Sequence, residues 1–129
     1  MIFLWILLFT LTSEHLGPER YRVMREKGTE RAFSGSYLYE TREGIYRCAG
    51  CANPVFHSSD KYDSGAGWPS FRKAIEKESV YYLEDKGLSF KRYEVLCRKC
   101  HSHLGHVFND GPPPKGLRYC INSIALSLE

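Results

Sequence analysis

Four of the chain's five cysteines fall in two Cys-x-x-Cys pairs, Cys48-Ala49-Gly50-Cys51 and Cys97-Arg98-Lys99-Cys100. No other feature narrows the possible folds as much. A Cys-x-x-Cys segment puts two thiolates on one tight turn, both able to point at one ion about 2.3 Å away. Two such turns supply a closed tetrahedral set, with no coordination position left for a substrate. The expectation is one structural zinc ion held by Cys48, Cys51, Cys97 and Cys100, not a catalytic metal. Each pair follows a strand-like run, IYRC and YEVLC, so the ion would clip two hairpin ends together. At 129 residues the chain has room for one domain with a modest core. Metal binding therefore adds folding free energy where it is needed. A disulfide framework would favour an even cysteine count in a short secreted chain.

Between the two pairs the sequence reads as short strands and turns. Nine Tyr, seven Phe and eleven Gly favour that outcome over long helices. Pro18 suits the first turn of a helix, which ERYRVMREKGTE continues with Tyr21, Met24 and Arg25 at helical spacing until Gly28 stops it. Strands are expected at Tyr37–Glu40 and Ile45–Cys48 around a turn at Thr41–Gly44. A hairpin is expected from Val80–Glu84 and Leu88–Leu96, closed by Asp85-Lys86-Gly87. Leu104–Phe108 and Leu117–Leu128 complete the set, separated by Asn109-Asp110-Gly111-Pro112-Pro113-Pro114. The architecture is antiparallel and mainly β, with one or two short helices ahead of the sheets. A net charge of +3 is too small for a nucleic-acid footprint, so no nucleic-acid partner is expected.

The first residues, MIFLWILLFTL, are apolar but too short to span a bilayer as a helix. A signal peptide would carry a basic start and a small-residue cleavage site, yet no Lys or Arg precedes Arg20. The run reads as a buried or membrane-leaning helix, or as an upstream extension from a misplaced start. A cytoplasmic location is expected, with the cell envelope or export as the alternative.

With four thiols assigned to metal, Cys120 is left over in the run RYCINS. A single cysteine in a strand is more often an inert core residue than a nucleophile. Three neighbours shift that balance. Arg118, two residues away on the same strand face, would favour a thiolate. Asn122, on that face too, offers an amide to a polar substrate or ring nitrogen. His101, His103 and His106 form a cluster from which a thiol enzyme can draw a proton. The bland readings are a solvated arginine, a turn-forming asparagine, and histidines that serve as alternative metal ligands, a role the four thiolates leave little need for. Gly67-Trp68-Pro69 on its own reads as a core-anchoring turn.

The segments GTERAFSGSYLYETREGIYRCAGC, KYDSGAGWPSF and CRKCHSHLGHVFNDGPPPKGLRYCINS resemble the B-type methionine sulfoxide reductases, which reduce the R epimer of methionine sulfoxide, mostly within proteins. The likeness covers roughly residues 18–129 as a single domain and leaves 1–17 as an apolar leader or N-terminal extension. It implies a mainly β fold of two antiparallel sheets, a β-tent, with short N-terminal helices and a four-cysteine zinc site. It implies that Cys120 is the nucleophile, that Trp68 shapes the pocket for the methyl end, and that His103 and His106 bind and protonate the oxygen. It further implies that Asp110, Arg118 and Asn122 complete the site.

The residue types suit that chemistry. A sulfoxide sulfur becomes electrophilic as its oxygen accepts a proton, which histidine can supply near neutral pH. Attack leaves methionine and a sulfenic acid on Cys120. An apolar wall on one side and polar donors on the other distinguish the two epimers. Where many members of that family carry a resolving cysteine, this chain has Ala66. An external thiol is therefore expected to regenerate Cys120, with a thioredoxin-like protein as the donor the resemblance implies. The expected partners are that reductant and oxidised proteins or peptides, and the expected state is a monomer. Two readings compete. One is a zinc-knuckle binding module using Arg47, Arg98, Lys99 and exposed aromatics; the other is a non-catalytic relative that binds methionine peptides. Neither needs Cys120, His103, His106 and Trp68 together.

Overall fold

Two Cys-x-x-Cys turns separated by some fifty residues can meet only if the intervening strands fold back on themselves, and a computed structural model covering residues 15–86 and 92–129 shows how they do. The described residues open with helix α1 (Gly17–Arg25), followed by β1 (Ile45–Cys48) and β2 (Pro54–His57). Next come β3 (Lys61–Tyr62), β4 (Ser70–Phe71), β5 (Val80–Asp85), β6 (Arg92–Cys97) and β7 (His103–Phe108). β8 (Arg118–Ile121) and β9 (Leu126–Leu128) end the chain, joined by a short 3-10 turn at Ser123–Ala125. The strands form two antiparallel sheets, β2-β1-β9 and β3-β4-β8-β7-β6-β5, in agreement with the expected fold class. The apolar run at 1–11 lies outside the described residues. Among those described, no helix is long and apolar enough to cross a membrane.

Pro18 sits in the first turn of α1, where its missing N–H costs nothing. The helix buries Val23 and Met24, while Tyr21 is exposed. It ends at Arg25, earlier than Gly28, because Lys27 takes the left-handed conformation (φ 59°). Gly28 instead closes the turn back onto the helix. Its N–H donates to the Arg22 carbonyl at 3.0 Å, and a Cβ there would lie 2.9 Å from that same oxygen.

Three expected strands differ from those observed. Tyr37–Glu40 is a turn, with Leu38 N–H donating to the Gly35 carbonyl and Glu40 N–H to the Tyr37 carbonyl. The reason is that β1 already has β2 on one edge and β9 on the other, so no edge remains for it. Leu117–Leu128 is broken after Ile121, because the chain must cross from the larger sheet to the smaller one. The buried Glu30 carboxylate holds that break by accepting Ser123 N–H at 2.8 Å and Ile124 N–H at 2.9 Å. In the β5–β6 hairpin, Asp85 pairs with Arg92, so Asp85 ends a strand and does not begin a turn. Gly87 and the expected strand residues 88–91 lie outside the described residues.

An aromatic cluster fills the space between the sheets. Phe56 stacks on Phe71 with centroids 4.4 Å apart, while Tyr46 and Tyr119 meet these rings edge-on. Tyr46, Phe56 and Phe71 are fully buried, and the two Phe side chains each contribute about 1.5–3 kcal/mol by leaving water. This core sets one face of the larger sheet and leaves the other for the site.

Candidate functional site

The four paired cysteines converge. Their sulfurs all lie within 4.8 Å of one another, with Cys48–Cys100 and Cys51–Cys97 at 3.6 Å. A tetrahedron of thiolates about 2.3 Å from a central ion has edges of about 3.8 Å, whereas disulfide sulfurs sit about 2 Å apart. The spacing fits metal ligation. The two turns are equivalent: Ala52 and His101 each follow the second cysteine in the left-handed region (φ 66° and 64°) and donate back to the carbonyls of Cys48 and Cys97 at 2.8 Å. Asn53 Nδ2 donates to Cys97 Sγ at 3.5 Å, and Ser102 Oγ lies 3.0 Å from Cys100 Sγ. His101 is exposed and bonds Tyr81 through Nδ1 at 2.8 Å. The cluster ties the end of β1 to the end of β6, and so one sheet to the other.

Cys120 lies on an interior strand, directly opposite Ser70 of β4 and His106 of β7. Direct cross-strand neighbours have Cβ atoms about 4.5–5.5 Å apart, so thiol and imidazole share a face. Period two puts Arg118 on that face as well. Arg118 forms a two-pronged ion pair with the exposed Asp110, at 2.9 and 3.2 Å, and lies 4.4 Å over the Phe108 ring. Burial pushes the Cys120 thiol up, and Arg118 opposes that shift without overcoming it. A cleft of about 370 Å³ opens here, lined by Thr29, Trp68, Arg92, Gly105, His106, Phe108, Cys120 and Asn122. Trp68 is half-buried, and its indole N–H donates to the Glu30 carbonyl at 3.0 Å.

His103 and His106, three residues apart, should face opposite sides of a regular strand. An irregularity in β7 prevents this: Gly105 pairs with Val95 but His103 pairs with Leu96, leaving Leu104 as an extra residue. Such a bulge turns both histidines to the same face. The carbonyl of Leu104 accepts the Asn122 backbone N–H at 2.9 Å and Asn122 Nδ2 at 3.1 Å. Asn122 Oδ1 accepts Glu30 N–H at 3.0 Å, so both ends of this amide bond backbone. His106 Nε2 lies 3.1 Å from Asp85 Oδ2, and His103 Nδ1 lies 2.7 Å from Glu94 Oε2. Burial lowers the proton affinity of both rings; the facing carboxylates act in the opposite sense. His103 lines an adjoining hollow that shares Thr29, Arg92 and His106 with the cleft.

The SelR domain matches residues 16–129. The chain is 57% identical over 112 residues to a peptide methionine sulfoxide reductase MsrB of Thiobacillus denitrificans, covering 87% of this chain and 85% of that protein. A protein of the same name from Pseudomonas syringae is 55% identical over 116 residues, covering 90% and 88%. Another, from Methanosarcina mazei, is 54% identical over 111 residues, covering 86% and 79%. The chain belongs to the SelR family.

Within this SelR-family chain the cleft gathers Trp68, His106, Cys120 and Asn122, with Arg118 on the same sheet face and Asp110 tied to it. Three residues with no expected role in the site support them. Glu30 links Trp68, Asn122 and the turn after β8. Glu94 and Asp85 each face one of the histidines. Glu94 could have been found by laying the alternate residues of YEVLC opposite HLGH. Glu30, in a polar stretch remote from its partners, carries no such signal.

Proposed function

We propose that this chain reduces methionine (R)-sulfoxide in proteins to methionine, with Cys120 as nucleophile. The observation that carries the reading is that Cys120, His106 and Trp68 line one cleft, with thiol and imidazole directly paired across β7 and β8. The Cys120 thiolate takes the sulfoxide oxygen while a histidine delivers one proton to it. The substrate sulfur gains two electrons, the cysteine sulfur loses two, and the products are methionine and Cys120 sulfenic acid. Trp68 offers an apolar wall for the methyl group, and His106 from the cleft and His103 from the adjoining hollow serve as the polar donors. Arg118, steadied by Asp110 and the Phe108 ring, stabilises negative charge on sulfur. Asn122 keeps the β7 bulge, and hence His103, in place.

Regeneration falls to an external thiol. The four other cysteines belong to the cluster, and Ala66 sits on a loop tied through Ser64 to Ser70, the neighbour of Cys120. An attacking thiol releases water and leaves a mixed disulfide on Cys120, which a second thiol opens. A thioredoxin-like dithiol protein fits both steps. The reading takes residues 18–129 as one monomeric domain. We assign zinc to Cys48, Cys51, Cys97 and Cys100, a donor set that closes a tetrahedron and gives the ion a structural role.

The test is reduction of the separate R and S epimers with dithiothreitol as donor, by the wild type and by Cys120→Ser. Turnover of the R epimer alone, lost in the variant, is the expected result. Failure of folded, zinc-loaded wild type to turn over either epimer would defeat it.

A further inference from the structure

A buried carboxylate borders the site without a role in the reaction above. Glu94, at the centre of β6, has its side chain 7% exposed, and that of His103 is 2% exposed. Holding a carboxylate away from water is costly unless its oxygens are engaged. Both are: Oε2 lies 2.7 Å from His103 Nδ1 and Oε1 lies 3.5 Å from Lys27 Nζ. An ionised carboxylate only accepts, so the proton between Glu94 and His103 sits on Nδ1. In the neutral ring Nε2 then carries a lone pair, and that atom is buried with no hydrogen-bond partner among the described residues. The carboxylate thus favours the Nδ1–H tautomer, and the bonding capacity of Nε2 is unmet among the described residues.

We propose that Glu94 is a positioning residue that locks His103 in the Nδ1–H tautomer, so that Nε2 is the atom that carries the proton to the substrate oxygen. This rests on the sulfoxide-reductase reading of the cleft. When Nε2 takes a proton the ring becomes a cation beside a buried anion, which makes His103 a usable acid despite its burial. Arg92 from β6, His106 from its own strand and Lys27 after α1 oppose that charge. Glu84, Asp85 and Lys86 from the β5 side border the same hollow.

Glu94→Gln keeps the shape and removes the charge. Metal content and thermal midpoint should show it folded. The histidine must be protonated to act, so turnover falls on the alkaline side of its titration. In Glu94→Gln that limb should move to lower pH, with turnover at pH 8 reduced roughly tenfold or more, less loss at pH 6, and the change in kcat rather than KM. Long-range ¹H–¹⁵N spectra of histidine-labelled holoprotein should show a pure Nδ1–H tautomer for His103 in the wild type, titrating at lower pH in the variant. If Glu94→Gln does not fold, Lys27→Met, on a side chain 67% exposed, serves instead and should move the limb and the titration to higher pH. Equal loss at every pH, or an unmoved His103 titration, would overturn the proposal. A wild type inactive on sulfoxide but with the expected spectra would overturn the reaction reading and support the tautomer assignment.

Discussion

Cys120 stands between two opposed influences, burial that raises its thiol and the Arg118 guanidinium that pulls it down. Arg118→Met should therefore raise it further and slow alkylation of Cys120 by iodoacetamide at neutral pH several-fold. An unchanged rate would remove Arg118 from that role. With sulfoxide supplied and thiol withheld, a sulfenic-acid trap such as dimedone should label Cys120 and leave the four clustered cysteines unlabelled; absence of the adduct would count against a single-cysteine cycle. At this scale the sequence was readable where a rule is local. A period of two sufficed to put Arg118 and Cys120 on one face. Asn122 lies just past the strand's end at Ile121 and still lines the cleft with Cys120, its amide bonding Leu104 and Glu30. Glu30 was invisible because its partners are set by tertiary folding, not by its neighbours, whereas Glu94 needed only YEVLC laid beside HLGH.

Strand β7 is the element on which the histidine arrangement depends. Its bulge at Leu104 brings His103 and His106 to one face, and Gly105 beside it lets β8 come close: a Cβ there would lie 2.1 Å from the Cys120 carbonyl oxygen. Gly105→Ala should therefore push β8 away, costing about 1–3 kcal/mol in a urea titration and most of the turnover. Near-native stability with full activity would show that the strand pair has slack. Strand existence was legible for β1, β5, β6, β7 and β8, each of which carries apolar residues in a short run. The bulge was not, since HLGH gives no sign of the extra residue until β6 is laid beside it. Tyr37–Glu40 has strand-like composition and still forms a turn, because β1 has no free edge to offer it.

For the molecule as a whole, the cysteine cluster joins the ends of the two sheets, so metal and fold should be lost together. Chelation under reducing conditions should lower the thermal midpoint on the order of 10–20 °C and abolish turnover in parallel; loss of turnover at an unchanged midpoint would contradict a structural ion. Acid adds a second dependence. Burial lowers the proton affinity of His103 and His106 in the folded state, so the unfolded chain binds more protons below the ordinary histidine value near ~6.5. Stability should then fall as pH drops through 6.5 toward their lowered values. The urea midpoint, compared at pH 7.5 and 5.5 in excess zinc, should show a drop that shrinks in the His103→Asn, His106→Asn double variant. An equal drop in both proteins would place the effect elsewhere.

The placement of β8 between β4 and β7 bears on how the proposed cycle would be reset. A thiol on a terminus or mobile loop can swing out to meet its reductant, whereas one stitched into the middle of a sheet cannot. The trajectory must belong to the visitor. On the proposed cycle, whatever regenerates Cys120 has to bring its own sulfur into the cleft that Trp68 and Phe108 line. That requirement favours a slim diffusible thiol, or a protein whose reactive sulfur stands proud of its surface, over any donor with a recessed one.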